Sequence, residues 1–358
     1  LVVHAASVTA DGRHAIDVLR DLDLDVVRLF SPEHGLRGRA AAGEQVADGL
    51  DPVSGLSGVR LYGDQRQPQP EDLADLEALV FDLQGAGVRF YTYVSTMILC
   101  LEAAAEAGID FVVLDRPNPL GGERIEGPVS ASRDVVPESF VNMAPGPLVH
   151  GLTMGEMARL FNARLEPSAA LTVVPMSGWQ RSMVWEDTGR EWVPPSPNLR
   201  SAAAALAYPG TAFLEATNVN EGRGTTDPFL ILGAPWLDSS SVELSVPGFR
   251  LEPTTFVPEA SAAAPQPKYL GETCQGWRVV VTEAAIAQPY RLGVDLILQR
   301  MEQPDFAWRR QGEALTWLLG TPRVLEGFAA GIDADEIVAF DEADHEAWRR
   351  ERKEFLFY

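Results

Sequence analysis

Lysine is nearly missing from this chain: Lys268 and Lys353 are the only two among 358 residues, so its fixed cations are almost all arginine. The 29 Lys and Arg are outnumbered by 51 Asp and Glu, giving a formal net charge of −22 and a sequence pI near 4.6. That balance excludes the basic face that phosphate backbones require, and with it nucleic acid as a partner. An anionic small ligand must instead be met by a local cluster of arginines, whose planar fork suits carboxylates. The arginine bias is equally consistent with genome composition. Cysteine is scarce too: Cys100 and Cys274 lie far apart without metal-ligand spacing, which removes a disulfide framework and a zinc site. Cys100 falls in an apolar helical run and is expected in the core. No apolar run reaches the length of a membrane span, and no signal peptide is visible. Leu1-Val2-Val3 already reads as mid-strand, which predicts that residues precede Leu1. With a signal peptide among them the location is periplasmic or extracellular; without one it is cytoplasmic. The Gly-x-Ser-x-Gly elbow, His-Glu-x-x-His, Gly-x-Gly-x-x-Gly and Gly-x-x-x-x-Gly-Lys are all absent, so serine-hydrolase, zinc-peptidase and nucleotide readings lose their usual support. No metal and no cofactor are indicated.

At 46% hydrophobic, the chain can bury a sizeable core, and its length predicts two domains, 1–200 and 201–358. The first half alternates strand and helix patterns. Asp11 is placed to cap a helix carrying Ile16, Leu19 and Leu22, and 25–30 follows as a strand. A short helical turn over 73–76 precedes a strand over 79–81, and a helix over 96–107 stops at Gly108 before a strand over 111–114. Thr153-Met154-Gly155-Glu156 fits a capping box, and 171–175 reads as another strand. This βαβ series predicts an α/β fold with a mainly parallel sheet and right-handed connections. The second half is less regular. Linker-like stretches at 238–241 and 261–267 flank a small β element, 278–282 reads as a strand, and 291–301 and 314–319 read as helices.

Three strands end in acids: Phe30 leads into Ser31-Pro32-Glu33-His34-Gly35, Phe81 into Asp82-Leu83-Gln84, and Leu114 into Asp115-Arg116-Pro117-Asn118. In a parallel sheet these acids converge on the carboxyl edge, where open α/β sheets bind ligands. Glu33 suits a general acid, with His34 as base or hydrogen-bond donor. The competing reading of each acid is an N-cap or turn residue. Glu44 follows an Ala-Gly tract and is expected on a loop over the site, if it is not merely solvated. The run from Asp82 to Tyr93 adds Gln84, Arg89, Tyr91 and Tyr93 beside glycines that let backbone approach a ligand; the tyrosines are as well suited to the core. The run from Glu215 to Thr226, with Asn218, Glu221 and Arg223, is the densest polar cluster of the second half, and His150 can face the site just before the capped helix. Glu156 is explained by the capping box.

Read together, Phe30–Gly35, Asp82–Tyr93, Leu114-Asp115-Arg116-Pro117-Asn118-Pro119, Pro195-Ser196-Pro197-Asn198, Tyr208-Pro209-Gly210 and Thr217–Thr226 resemble the NamZ-type exo-β-N-acetylmuramidases. The resemblance runs from Leu1 to Trp236 and more faintly through Phe256-Val257-Pro258, Cys274-Gln275-Gly276 and the C-terminal helices. It implies a Rossmann-like, mainly parallel sheet domain joined to a second, smaller α+β domain, with the active cleft between them. It also implies a bacterial glycosidase that releases N-acetylmuramic acid (MurNAc) from the non-reducing end of peptidoglycan fragments in cell-wall turnover, acting on peptidoglycan-derived sugars. The family's catalytic glutamate maps to Glu33 and a nearby tyrosine to Tyr62, while Asn198 joins the binding candidates. Where the family often has Asp-Val after the Asp82-Leu83-Gln84 stretch, this chain has Gly85-Ala86, so position 85 carries no acid. Asp82, Asp115 or Glu221 would help position water or substrate, and Arg89, Arg116 or Arg223 would grip the lactyl carboxylate. The rival expectation is a non-catalytic muropeptide or acidic-sugar binding protein; a weaker one is a cell-wall amide or ester hydrolase. Retention and inversion both stay open, since carboxyl separations of about 5–5.5 Å and roughly 6.5–9.5 Å distinguish them.

Overall fold

Short apolar segments with no alternating polar face are what a sheet covered on both sides requires, and they assemble that way in the computed structural model, which describes residues 1–38, 49–239 and 244–358. Among the described residues of the first half run nine strands: β1 (Val2–Val3), β2 (Arg28–Ser31), β3 (Gly49–Leu50), β4 (Ser57–Arg60), β5 (Ala78–Asp82), β6 (Asp110–Leu114), β7 (Glu126–Val129), β8 (Pro147–Val149) and β9 (Ala170–Val174). Seven of them form one sheet in the order β3-β4-β2-β1-β5-β6-β9. Only the β3–β4 pairing is antiparallel; the others in this sheet are parallel. From β1 the chain moves outward to β2 and β4, then crosses back to β5 beside β1. The order therefore reverses between β1 and β5, and the crevice outside their carboxyl ends is the favoured ligand position of such sheets.

Helices α1 (Ala15–Asp21), α2 (Pro70–Leu73), α3 (Thr92–Ala107) and α4 (Met154–Asn162) connect these strands. The expected helix at 96–107 begins four residues earlier, at Thr92, directly after the Tyr91 N-cap, and ends at Gly108 with φ +67°. Cys100 is fully buried in it. The α4 capping box forms as expected: Thr153 accepts from the Glu156 N–H and Glu156 from the Thr153 N–H. Asp11 does not cap α1. His14 does so, accepting from the Ile16 N–H, while Asp11 takes the Thr9 hydroxyl.

A four-stranded antiparallel sheet in the order β10-β13-β12-β11 follows, built from β10 (Ile231–Ala234), β11 (Ser245–Val246), β12 (Phe249–Phe256) and β13 (Cys274–Val281). Around it lie α5 (Ala202–Thr211), α6 (Pro289–Met301), α7 (Glu313–Leu319), α8 (Arg323–Ala329), α9 (Ala334–Ala339) and α10 (Glu342–Arg352). A parallel-sheet unit followed by a smaller α+β unit is thus what the chain builds. The last residues return to the first sheet: Trp348 donates to the His150 carbonyl, Arg352 to Gly122 and Gly151, and the Tyr358 hydroxyl to Asp115. Among the described residues, no helix is long and apolar enough to cross a membrane.

Candidate active site

Beyond the end of β2 the backbone turns through two consecutive left-handed residues, His34 at φ +73° and Gly35 at φ +72°. A non-glycine residue there is uncommon and stores strain that surrounding contacts must hold. The turn brings Glu33 into a cavity of about 160 Å³ lined by His34, Tyr62, Phe90, Tyr91, Thr92, Tyr208, Glu215, Arg223 and Phe229, among others. Glu33 is only 9% exposed. Its Oε2 accepts from the Thr92 hydroxyl at 2.8 Å, and the Tyr62 hydroxyl also hydrogen-bonds to its carboxylate. Burial first, then the Glu33 charge, pushes the Tyr62 hydroxyl well above the ordinary tyrosine range, so Tyr62 stays a protonated donor to Glu33. Tyr93 fixes the turn from below by donating to the Glu33 and Pro195 carbonyls.

Across the cavity stand Arg223 and its acids. Arg223 meets Glu215 at 2.7 Å and Glu221 at 3.0 Å, and Lys268 meets Glu221 at 2.9 Å. The Arg223 guanidinium also lies over the Phe229 ring, 5.3 Å from its centroid. Tyr208 packs on Phe229 and Phe90 at 4.6 and 5.1 Å between centroids. The cavity thus pairs an aromatic wall with acids and one guanidinium, the chemistry of a site for a hydroxylated, carboxylated ring.

The three strand-end acids share the carboxyl edge, as a parallel sheet demands, but they do not share this cavity. Asp82 and Asp115 line a separate cavity of about 690 Å³ with Thr9, Arg116, Trp179 and Arg190. Asp82 takes Arg116 in a two-pronged ion pair, with Nη2 to Oδ2 at 2.9 Å. Asp115 accepts from the Thr153 and Tyr358 hydroxyls and the Gly155 N–H.

Other candidates hold the scaffold. Arg89 is fully buried, donates to the Pro128, Gly146 and Leu319 carbonyls, and does not line this cavity. Gln84 braces Gly85 and Pro117. Asn118 links the Leu120 N–H to the Leu152 carbonyl, beside Gly87 at φ +74°, where a Cβ would come within 2.2 Å of Asn118 Oδ1. His150 is buried and accepts from the Leu152 N–H; burial pushes its imidazole down to about 3, so it is neutral. Asn198 donates to the Ala263 carbonyl, and Asn218 ties Asp305 to Ala307. Glu221 reaches the cavity only through Arg223. Glu44 lies outside the described residues.

The profile of the N-terminal unit of exo-β-N-acetylmuramidase NamZ matches residues 1–203, and that of its C-terminal unit matches 206–358. The chain belongs to the NamZ family. It is 37% identical over 368 aligned positions to peptidoglycan β-N-acetylmuramidase NamZ of Bacillus subtilis strain 168, covering all of this chain and 86% of that protein. Two crystal structures of DUF1343 family proteins from Bacteroides fragilis NCTC 9343 superpose on it over its whole length. One has a TM-score of 0.86, 30% identity and 93% of its chain covered. The other has a TM-score of 0.81, 29% identity and 92% covered.

Within this NamZ-family fold the cavity gathers Glu33, His34, Tyr62, Tyr91 and Arg223 from the expected residues. Sequence reasoning passed over Thr92, Tyr208 and Glu215 as site residues. Thr92 and Glu215 sat inside runs already singled out as polar; the missing signal was which side chain turns inward. Among the described residues no cluster of His, Cys, Asp and Glu is arranged to hold a metal.

Asp115 makes a testable pH signature. Burial pushes its carboxyl up to about 6 against the pull of the Thr153, Gly155 and Tyr358 donors. A raised acid in the folded state contributes stability that is present below the unfolded value near 4 and is lost as pH rises through about 6. The melting-temperature gap between the parent and Asp115→Asn is therefore expected to be widest near pH 4 and to narrow toward pH 7.5. A gap that widens with pH overturns this reading of Asp115.

Proposed function

We propose that this chain is an exo-acting glycoside hydrolase that releases MurNAc from the non-reducing end of peptidoglycan fragments, with Glu33 as the general acid. Glycoside cleavage needs a proton at the leaving oxygen, delivered by a carboxyl shielded from water. Glu33 is the most enclosed carboxyl of its cavity, and that burial is the observation that carries the assignment. Thr92 and Tyr62 hold the carboxyl by hydrogen bonds, and His34, one residue on in the same turn, lines the same cavity. Of the three arginines expected to meet the lactyl carboxylate, Arg223 alone lines this cavity, which makes it the group that separates MurNAc from N-acetylglucosamine.

The test is direct. The 4-nitrophenyl β-glycosides of MurNAc and of N-acetylglucosamine are incubated with the protein and nitrophenolate is read. Release from the MurNAc glycoside, with at most a hundredth of that rate from the other, is expected. Equal rates would remove the carboxylate from recognition, and saturable binding of MurNAc without release would make the chain a binding protein.

A further inference from the structure

Glycoside hydrolysis needs a second group, at the anomeric carbon, besides the acid at the leaving oxygen. Glu33 cannot serve both ends of one bond in a single step. Among the described residues, the only other carboxylate lining its cavity is Glu215. The two acids differ in setting: Glu215 is only partly buried, while Glu33 is buried and hydrogen-bonded by Thr92 and Tyr62. Two carboxyls on one cavity, one enclosed and one reached by water, match the division between proton donor and water activator.

Glu215 is also firmly held. It sits in the short 3-10 turn Ala212–Ala216 that continues α5, so its backbone is anchored to a helix end. Arg223 takes its Oε1 at 2.7 Å, and among the described residues no protein donor reaches Oε2. Arg223 is itself set by Glu221, and Glu221 by Lys268, whose ammonium also donates to the Leu214 and Val219 carbonyls at 2.7 Å each. Leu214 immediately precedes Glu215, so the Lys268–Glu221–Arg223 chain closes on the turn that carries it. Such a chain fixes one carboxylate oxygen and leaves the other for water. Tyr208, partly buried, lines the same cavity as both carboxylates.

Resting on the muramidase reading above, we propose that Glu215 is the second catalytic carboxylate, the general base for hydrolytic water. A water at Oε2 gives its proton to Glu215 as its oxygen bonds to the anomeric carbon. The bond from that carbon to the glycosidic oxygen breaks, and Glu33 protonates the departing oxygen. Solvent exchange then returns the proton to Glu33 and removes the one on Glu215. Direct attack by water inverts the centre, so β-linked substrate yields α-MurNAc first.

The experiment follows the MurNAc glycoside by proton NMR and compares the parent with Glu215→Ala and Glu215→Gln. First-formed α-MurNAc is expected, with kcat lowered about a hundredfold in both variants, melting temperature held in Glu215→Gln, and KM within a few-fold. Added azide, which needs no base, is expected to restore Glu215→Ala turnover and give an α-glycosyl azide. First-formed β-MurNAc overturns the base assignment, as does unchanged kcat. Loss without azide rescue in a folded variant makes Glu215 a support for Arg223 and likewise overturns it. A parent protein that cleaves no MurNAc glycoside defeats the muramidase reading instead.

Discussion

Glu33→Gln is expected to lower kcat on a disaccharide with MurNAc at its non-reducing end by a factor near the top of the 10²–10⁴ range that general-acid catalysis supplies. A sugar alkoxide is a poor leaving group and depends on the proton. A 2,4-dinitrophenolate leaves without one, so the same variant is expected to lose less than about tenfold on the dinitrophenyl glycoside. That contrast separates an acid from a nucleophile or a binding contact, both of which would slow the two substrates alike. Glutamine keeps an acceptor for Thr92 and Tyr62, so the melting temperature should stay within a degree or two of the parent. Equal losses on both substrates would move the proton to another group, and near-normal turnover of the disaccharide would remove Glu33 from the chemistry altogether.

Some of this was legible in the chain and some was not, for identifiable reasons. Local rules carried α4, because a capping box is written in four consecutive residues and needs no distant partner. They also carried β2, β5, β6 and β9 as strands of a mainly parallel sheet, because their apolar runs and polar ends are local features. They gave no reading of α5, which runs through the helix-breaking pair Pro209-Gly210. There tertiary contact wins: a Cβ on Gly210 would come within 2.1 Å of the Pro289 carbonyl oxygen and 2.5 Å of the Gly293 nitrogen, so glycine is what lets α5 and α6 meet. At α1 the cap passed from Asp11 to His14 because Thr9 claims the aspartate. The site shows the same division. Glu33 and Arg223 could be nominated by residue type and motif. Asp82, Asp115 and Asn118 are held by partners on other loops, among them Arg116, Thr153 and Leu152, and none of the three lines the Glu33 cavity. Motif density finds the neighbourhood of a site; burial and pairing decide which polar residues are left to face it.

Arg89 gives that distinction its largest measurable consequence. Expected from sequence as a grip on the lactyl carboxylate, it is instead fully buried in the loop that follows β5. Its Nη1 donates to the Pro128 carbonyl at 2.9 Å and to Gly146 at 2.6 Å, and Nη2 donates to Leu319, 230 residues away. Leu319 closes α7, so the guanidinium meets the negative end of that helix and satisfies one of its last carbonyls. One side chain therefore ties the first sheet's loops to a helix of the second half. Replacing it by methionine keeps the volume but strands three acceptors, each worth roughly 1–3 kcal/mol when buried without a donor. Arg89→Met is expected to lose at least about 3 kcal/mol in urea unfolding, and Arg89→Lys to recover little of it, because an ammonium cannot reach three divergent carbonyls with a planar fork. For whatever fraction remains folded, KM for the MurNAc glycoside should match the parent. A raised KM at unchanged unfolding midpoint would return Arg89 to the substrate, and with it the cavity boundary drawn around Glu33.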